Sequence, residues 1–357
     1  MTSDVIPLKQ PPRRNRLLTL ADLRSMPRPK PLISGVLYSN MEHVLFGPQG
    51  VTKTFIAIDW ALHMAYQRPW FGIPVEHGKT VYVCGEGGGR LFADRLDAWL
   101  TYHEIGDESA ALECVRVTEY PVPLLDVAAV DELLANADDA DFFVIDSLAA
   151  NFGGGDENSQ ADMGLFCNAM RRIRLQTSAG VMVVHHTGHA DKTRPQGANI
   201  LRRSVDIELR VDRDTNDSDL FGLLGGGDLK SRHGKGCGLK PYRLKSVGLE
   251  DTDSLGQQVA SAVIVPTQDT PEFEGQRAAT KSLGKHQRHA VEILKQIADA
   301  SGQDPGDPEG VYVSSADWVA ACNKAGLPKQ RRCDVRRSFL RNNWIQESVG
   351  GFKWFPM

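Results

Sequence analysis

Between Val44 and Leu62 the chain reads VLFGPQGVTKTFIAIDWAL: an apolar run, a glycine-bearing loop ending in Lys53-Thr54, and apolar residues at helical spacing. A strand that passes through such a loop into a helix turns backbone N–H groups and the positive end of a helix dipole toward an anion. The phosphate-binding pattern G-x-x-x-x-G-K-[ST] is met at Gly47, Lys53 and Thr54, but its second glycine is replaced by Thr52. Glycine there permits close backbone approach and positive φ, so a β-branched residue is expected to strain the loop if φ must be positive. Gly47, Pro48, Gln49, Gly50, Val51, Thr52, Lys53, Thr54 and Phe55 form the expected nucleotide-binding element. Lys53 would neutralise the β/γ-phosphate oxygens, and the Thr54 hydroxyl would be directed to Mg²⁺. The alternative is a degenerate loop that no longer hydrolyses.

A chain of 357 residues exceeds what one hydrophobic core fills, so two domains are expected. With 41% apolar and 24% charged residues and no apolar run near 18 residues, a membrane protein is not expected. Lys9, Arg13, Arg14 and Arg16 near the amino terminus are interspersed with prolines, and no apolar stretch follows as in a secretory signal; a cytoplasmic location is expected. The six cysteines include no C-x-x-C pair and no His-Cys cluster at metal spacing, so they read as reduced thiols without structural zinc. A net charge of -4 confines any nucleic-acid contact to local patches.

Residues 1–33, rich in proline and basic residues, read as an arm, either a disordered tail or a segment packing on a neighbouring subunit, with helical character only in Leu17–Ser25. A short polar approach, Pro31 to Glu42, leads to a strand at His43–Phe46 and a helix from Thr54 to Gln67. Further strands are expected at Thr80–Cys84, Val115–Thr118, Asp141–Asp146 and Gly180–Val184, with helices at Leu91–His103, Val127–Ala137 and Ala161–Gln176 between them. This alternation predicts an α/β fold with a mainly parallel sheet whose ligands lie beyond the strands' carboxyl ends. A strand follows Asp206, Leu220–Gly227 and Lys230–Gly238 read as turn-rich, and Tyr242–Leu249 with Gln258–Val265 read as an antiparallel pair on the sheet's edge. The expected boundaries are a core over 34–268, a linker over 269–284 and a second domain over 285–357. That second domain shows helices at Lys285–Ala300, Ser315–Ala325 (capped by Ser314 or Ser315) and Pro328–Arg341, then a hairpin turning at Gly350-Gly351: a small winged helix.

Asp146 closes the apolar strand FFVID and is the expected Mg²⁺ carboxylate, held through water or Thr54. Glu86, just after the preceding strand, could deprotonate an attacking water, and His185 or His186, at the end of the next, could sense the γ-phosphate. Singly each is more often structural; together they cluster at one edge of the sheet. The succession of glycine loop, GEGGGR, VIDSLA and VVHHTG resembles RecA-like hexameric ATPases of the plasmid replicative helicase RepA type, over about Ser34 to Pro266. The resemblance implies a RecA-like P-loop core that binds ATP with Mg²⁺. It implies Glu86 as base, His186 as phosphate sensor, and Lys230 and Arg232 of Lys230-Ser231-Arg232 as cations inserted into a neighbouring subunit's site. The chain departs from that pattern at Thr52 and around Arg194-Pro195-Gln196-Gly197-Ala198-Asn199.

The same resemblance places two loops in a central channel, Asn151–Asp162 and Gly188–Arg203. The first is acidic; the second carries Lys192, Arg194, Arg202 and Arg203, the expected single-strand contacts. In the second domain Lys324, Lys329, Arg331, Arg332, Arg336, Arg337 and Arg341 face a single carboxylate, Asp334, which suits DNA contact or protein docking. The expected function is an ATP-hydrolysing, ring-forming DNA motor, a replicative helicase of a phage, prophage or plasmid acting as a homohexamer on single-stranded DNA. The alternatives are a nucleotide-gated DNA-binding regulator or loader with little turnover, and a filament-forming recombination mediator.

Overall fold

The computed structural model describes residues 17–26, 28–85, 88–137, 139–188, 195, 199–273, 285–303, 310–341 and 344–355. The chain divides into two compact units, Met1–Phe273 and Glu274–Met357.

The first unit opens with helix α1 (Leu20–Ser25), closed at its start by a capping box between Thr19 and Asp22 and burying none of its residues. The stretch after it is not the polar approach expected. Strands β1 (Pro31–Ile33) and β2 (Leu37–Tyr38) form a small antiparallel pair, and Leu32, Ile33, Val36 and Leu37 are fully buried. Prolines and serines around them mask an apolar i, i+1 pattern too short to register as a strand.

The central sheet follows in chain order. It comprises β3 (Glu42–Gly47), helix α2 (Lys53–Ala65), β4 (Thr80–Cys84), α3 (Gly88–Tyr102), α4 (Ser109–Cys114), β5 (Val115–Val117), α5 (Val127–Ala135), β6 (Phe142–Asp146), α6 (Leu148–Asn151), α7 (Gln160–Thr177), β7 (Gly180–His186), α8 (Ile200–Ser204), β8 (Ile207–Arg213), β9 (Leu220–Gly225), β10 (Gly238–Thr252) and β11 (Gln258–Pro266). The nine strands lie in the order β11-β10-β9-β8-β3-β7-β6-β4-β5. From β8 to β5 neighbouring strands are parallel, and from β8 to β11 they are antiparallel.

Alternation along the parallel strands sends successive side chains to opposite faces. Leu45, Tyr82, Val144 and Val184 join the core under α2 and α3. Val44, Phe46, Val83, Ile145 and Val183 join the core under α5 and α7. Helices therefore cover both faces, which is why these strands read as continuous apolar runs.

Two expectations are corrected here. Leu220–Gly225 is not a turn but an inner strand, hydrogen-bonded on both sides. Its sequence, LFGLLG, hides this because a side chain at Gly222 would collide with Phe273 and Leu239, so close packing selected glycine inside a strand. The expected linker also begins later than 269, since Phe273 is fully buried and bridges to Asp214; residues 274–284 lie outside the described residues.

In the second unit, α9 (Lys285–Ser301), α10 (Ser315–Lys324) and α11 (Lys329–Arg341) pack with a three-stranded antiparallel sheet of β12 (Val311–Ser314), β13 (Ile345–Ser348) and β14 (Gly351–Trp354). Ser314 is the cap of α10, its hydroxyl accepting from the Asp317 N–H at 3.0 Å. Strand β12 falls where a loop was expected; it pairs along β14 and buries Val311 and Val313 against Trp318, Phe339 and Trp354. Among the described residues no helix is long and apolar enough to cross a membrane.

Candidate nucleotide site

The site forms where β3, β6, β7 and β8 end. Gly47 closes β3 against β8, and a Cβ there would stand 2.2 Å from the Val211 carbonyl oxygen, so only glycine fits. Gly50 has φ +74°, the left-handed region that favours glycine. Thr52, by contrast, has φ -38° and ψ 27°. No positive φ is needed at that position, and the β-branched side chain sits there without the anticipated backbone strain. Its hydroxyl lies 2.5 Å from that of Tyr242 on β10, and both residues are buried.

Lys53 is the first residue of α2 and is buried. Its ammonium donates to the carbonyl oxygens of Gly47 at 3.0 Å and Pro48 at 2.7 Å, and stands 3.3 Å from Nδ1 of His186. The register of β3 on β7 explains that last contact, because Gly47 and His186 are partners. Asp146 ends β6, buried, and accepts a short hydrogen bond from the Tyr82 hydroxyl. Burial, and next the Asp146 charge, push the Tyr82 phenol well above its usual range, so it stays protonated and donates. That partner holds the carboxylate in one orientation.

Arg213, the last residue of β8, donates to the Gly50 carbonyl at 3.0 Å and lies over the Phe221 ring at 5.2 Å. From α3, Arg95 lies over the ring of Phe55 at 4.7 Å. These groups enclose a cleft of about 460 Å³ lined by residues from Gln49 to Phe55, by Asp146, Ser147 and His186, and by Arg95, Arg213, Phe221 and Leu244. Its size is that of a small-molecule site. Three fixed cations face one carboxylate, beside the amino end of a 13-residue helix. Such a cleft binds a polyanion. The hydroxyl of Thr54 and the carboxylate of Asp146, both lining it, are the hard oxygen donors that suit Mg²⁺.

The structure thus gathers Lys53, Thr54, Asp146 and His186. Glu86 lies outside the described residues. Lys230 and Arg232 are elsewhere: Ser231 between them bridges to Ile207, the first residue of β8, at the edge opposite the phosphate loop. Lys230 Nζ donates to the Arg202 and Arg203 carbonyls at 2.9 and 2.8 Å, and Arg232 pairs with Asp206 at 2.7 Å. The length of β8, about 20 Å at 3.3 Å per residue, separates them from the loop of their own chain.

Sequence reading missed Arg213, Arg95, Tyr82 and Phe221. Arg213 obeys the carboxyl-end rule that singled out Asp146 and His186. Arg95 carries no comparable signal, being one of several polar residues on α3.

Of the expected DNA contacts, Lys192 and Arg194 lie outside the described residues. Arg202 is held by the buried Glu208 at 2.7 Å, whereas Arg203 is exposed. The first expected channel loop is partly core, since Asn151 and Phe152 are buried and Asn151 accepts from the Val122 N–H at 2.8 Å. On α11, Arg336 is paired with Glu347, a second carboxylate not anticipated, and stacked on Phe352. Arg332 donates to the Val319 carbonyl at 3.2 Å. Lys329, Arg331 and Arg337 are exposed.

Fold and site together define a P-loop nucleotide-binding core of the α/β class with a mainly parallel sheet. Residues 9–192, just over half of the chain, match the profile of the AAA domain family AAA_25, and the chain belongs to that family. Among solved structures it is similar to a KaiC-like protein from the hyperthermophilic archaeon Pyrococcus horikoshii OT3. That likeness has 13% identity over 66% of this chain and 94% of the other, with a TM-score of 0.44. It is similar also to the RadB recombinase, at 16% identity over 58% of this chain and 89% of the other, with a TM-score of 0.44. No curated protein matches the chain.

Proposed function

We propose that this P-loop ATPase is a ring-forming DNA motor of the RepA replicative-helicase kind. The observation that carries the reading is the placement of two cationic sets on opposite edges of one sheet. Lys53, Arg95 and Arg213 face the phosphate cleft, and Lys230 with Arg232 stand at the other end of β8. In a ring or other head-to-tail assembly the second set reaches the cleft of the next subunit, where cations supplied in trans stabilise charge in phosphoryl transfer.

In this reading Lys53 and the amino end of α2 hold the β- and γ-phosphates. With charged Lys53 donating to Nδ1, the His186 ring keeps its proton on Nε2 and offers it to a γ-phosphate oxygen. Glu86, which follows the end of β4 in sequence, is the proposed base. Mg²⁺ bound by Thr54 and Asp146 would neutralise phosphate charge. The second unit reads as a winged helix that presents Lys329, Arg331 and Arg337 to DNA, with Arg203 beside the channel.

The test is ATP turnover with and without single-stranded DNA, in wild type and Lys53→Ala. DNA-stimulated hydrolysis that is lost in the variant supports the reading; an inactive wild type sinks it. Tight ATP binding without phosphate release assigns the chain instead to a nucleotide-gated regulator or loader, and images of the ATP-bound protein separate ring from filament.

A further inference from the structure

Helix α2 carries a second polar cluster, further along the helix from the phosphate loop. Asp59 and His63, one turn apart on α2, and His103, directly after α3, each offer a ligand atom, all within 4.8 Å of one another. Asp59 Oδ1 and His63 Nε2 are 3.4 Å apart. That is the edge of a tetrahedron whose metal–ligand bonds are about 2.1 Å.

The surroundings orient these atoms as metal ligands are oriented. His63 Nδ1 lies 3.1 Å from the Arg68 carbonyl oxygen, to which it donates, and this turns Nε2 toward Asp59, where a bound cation would take the place of the Nε2 proton. The Asp59 carboxylate is fixed by the indole N–H groups of Trp70 at 2.8 Å and Trp99 at 2.9 Å. His103 meets His63 edge-on, ring centroids 5.6 Å apart, and its Nε2 is enclosed without a hydrogen-bond partner. All three side chains line a cavity of about 660 Å³ that is completed by Phe71, Lys240 and Thr267.

We propose that Asp59, His63 and His103 form a Zn²⁺-type site with three protein ligands and a fourth position open to this cavity. Two imidazoles and one carboxylate favour a borderline ion such as Zn²⁺ over Mg²⁺ or Ca²⁺, which prefer oxygen alone. An open position leaves room for water or an anionic group of a small ligand. The site uses no cysteine and draws its third ligand from the turn after another helix, so spacing in the sequence does not announce it.

Calorimetric titration of the untagged full-length chain with Zn²⁺ tests the proposal, with Co²⁺ as a spectroscopic probe. Wild type is expected to bind one Zn²⁺ per chain and to melt higher with it. His103→Gln and His63→Gln, checked for native circular dichroism, are expected to bind at least tenfold more weakly, and His77→Gln to bind as wild type does. Bound Co²⁺ should show visible d–d bands without a thiolate charge-transfer band. Absence of stoichiometric binding in wild type, undiminished binding in both folded histidine variants, or a thiolate band would overturn the assignment.

Discussion

The hydroxyl of Thr52 meets that of Tyr242 at 2.5 Å, tying the turn before α2 to strand β10 on the antiparallel side of the sheet. The residue that breaks the phosphate-loop pattern is therefore a buried hydrogen-bonding group on a backbone of negative φ. Thr52→Gly is expected to keep ATP hydrolysis within a few-fold of wild type. It should lose about 1 kcal/mol of stability, the net worth of one such bond, and Tyr242→Phe should lose a similar amount. Turnover assays and thermal melts of the two variants check this, and a collapse of activity in Thr52→Gly would assign Thr52 a direct part in turnover.

Tyr82 acts on the site through Asp146, whose carboxylate accepts from its hydroxyl. Tyr82→Phe removes that donor from the buried carboxylate and loosens its orientation, so kcat is expected to fall about tenfold, roughly 1.4 kcal/mol of barrier, with little change in ATP affinity. Steady-state kinetics over a range of Mg²⁺ concentrations separate the two quantities; a purely structural role for Tyr82 would move KM and kcat together.

Arg213 and the pair Lys230/Arg232 should behave differently because they stand at opposite ends of β8. Arg213→Ala is expected to weaken nucleotide binding about tenfold, or ~1.4 kcal/mol, in dilute, unassembled protein. Lys230→Ala and Arg232→Ala should leave that binding unchanged and lower turnover only where subunits assemble. Fluorescent-nucleotide binding at low protein concentration, set beside turnover at high concentration, reads both effects.

His43 on β3 is fully buried, and burial lowers its pKa to about 4 from an ordinary 6.5. The neutral ring contributes stability that is complete above about pH 6.5 and is lost as pH falls toward 4, because the unfolded chain then binds the extra proton. Between pH 7 and pH 5 this amounts to roughly 2 kcal/mol. His63 works the other way: burial opposes its protonation, but the Asp59 carboxylate outweighs burial and raises its pKa, so its share is present at low pH and lost as pH rises. Urea unfolding at the two pH values should show a smaller acid loss in His43→Gln, which retains an acceptor for the Tyr38 N–H, than in wild type.

The parallel half of the fold could be read from the chain because its signal is local. Apolar runs ending in polar residues, as in FFVID and GVMVVHH, place Asp146 and His186 at the carboxyl edge whatever the rest of the molecule does. Lys53 and Thr54 follow from the loop's spacing for the same reason. The antiparallel half was less legible, since Gly222 of LFGLLG is chosen by contact with Leu239 on the next strand and with Phe273, which lies far along the chain. Tertiary structure alone decided whether Thr52 is a defect, because that depends on a single φ and on a tyrosine 190 positions away. It also brought Arg213, Arg95 and Tyr82 to the phosphate cleft and set His103 beside Asp59 and His63. Sequence periodicity specifies which face of an element is buried; which side chains from different elements share a cavity depends on strand order and register, which emerge only when the sheet is assembled.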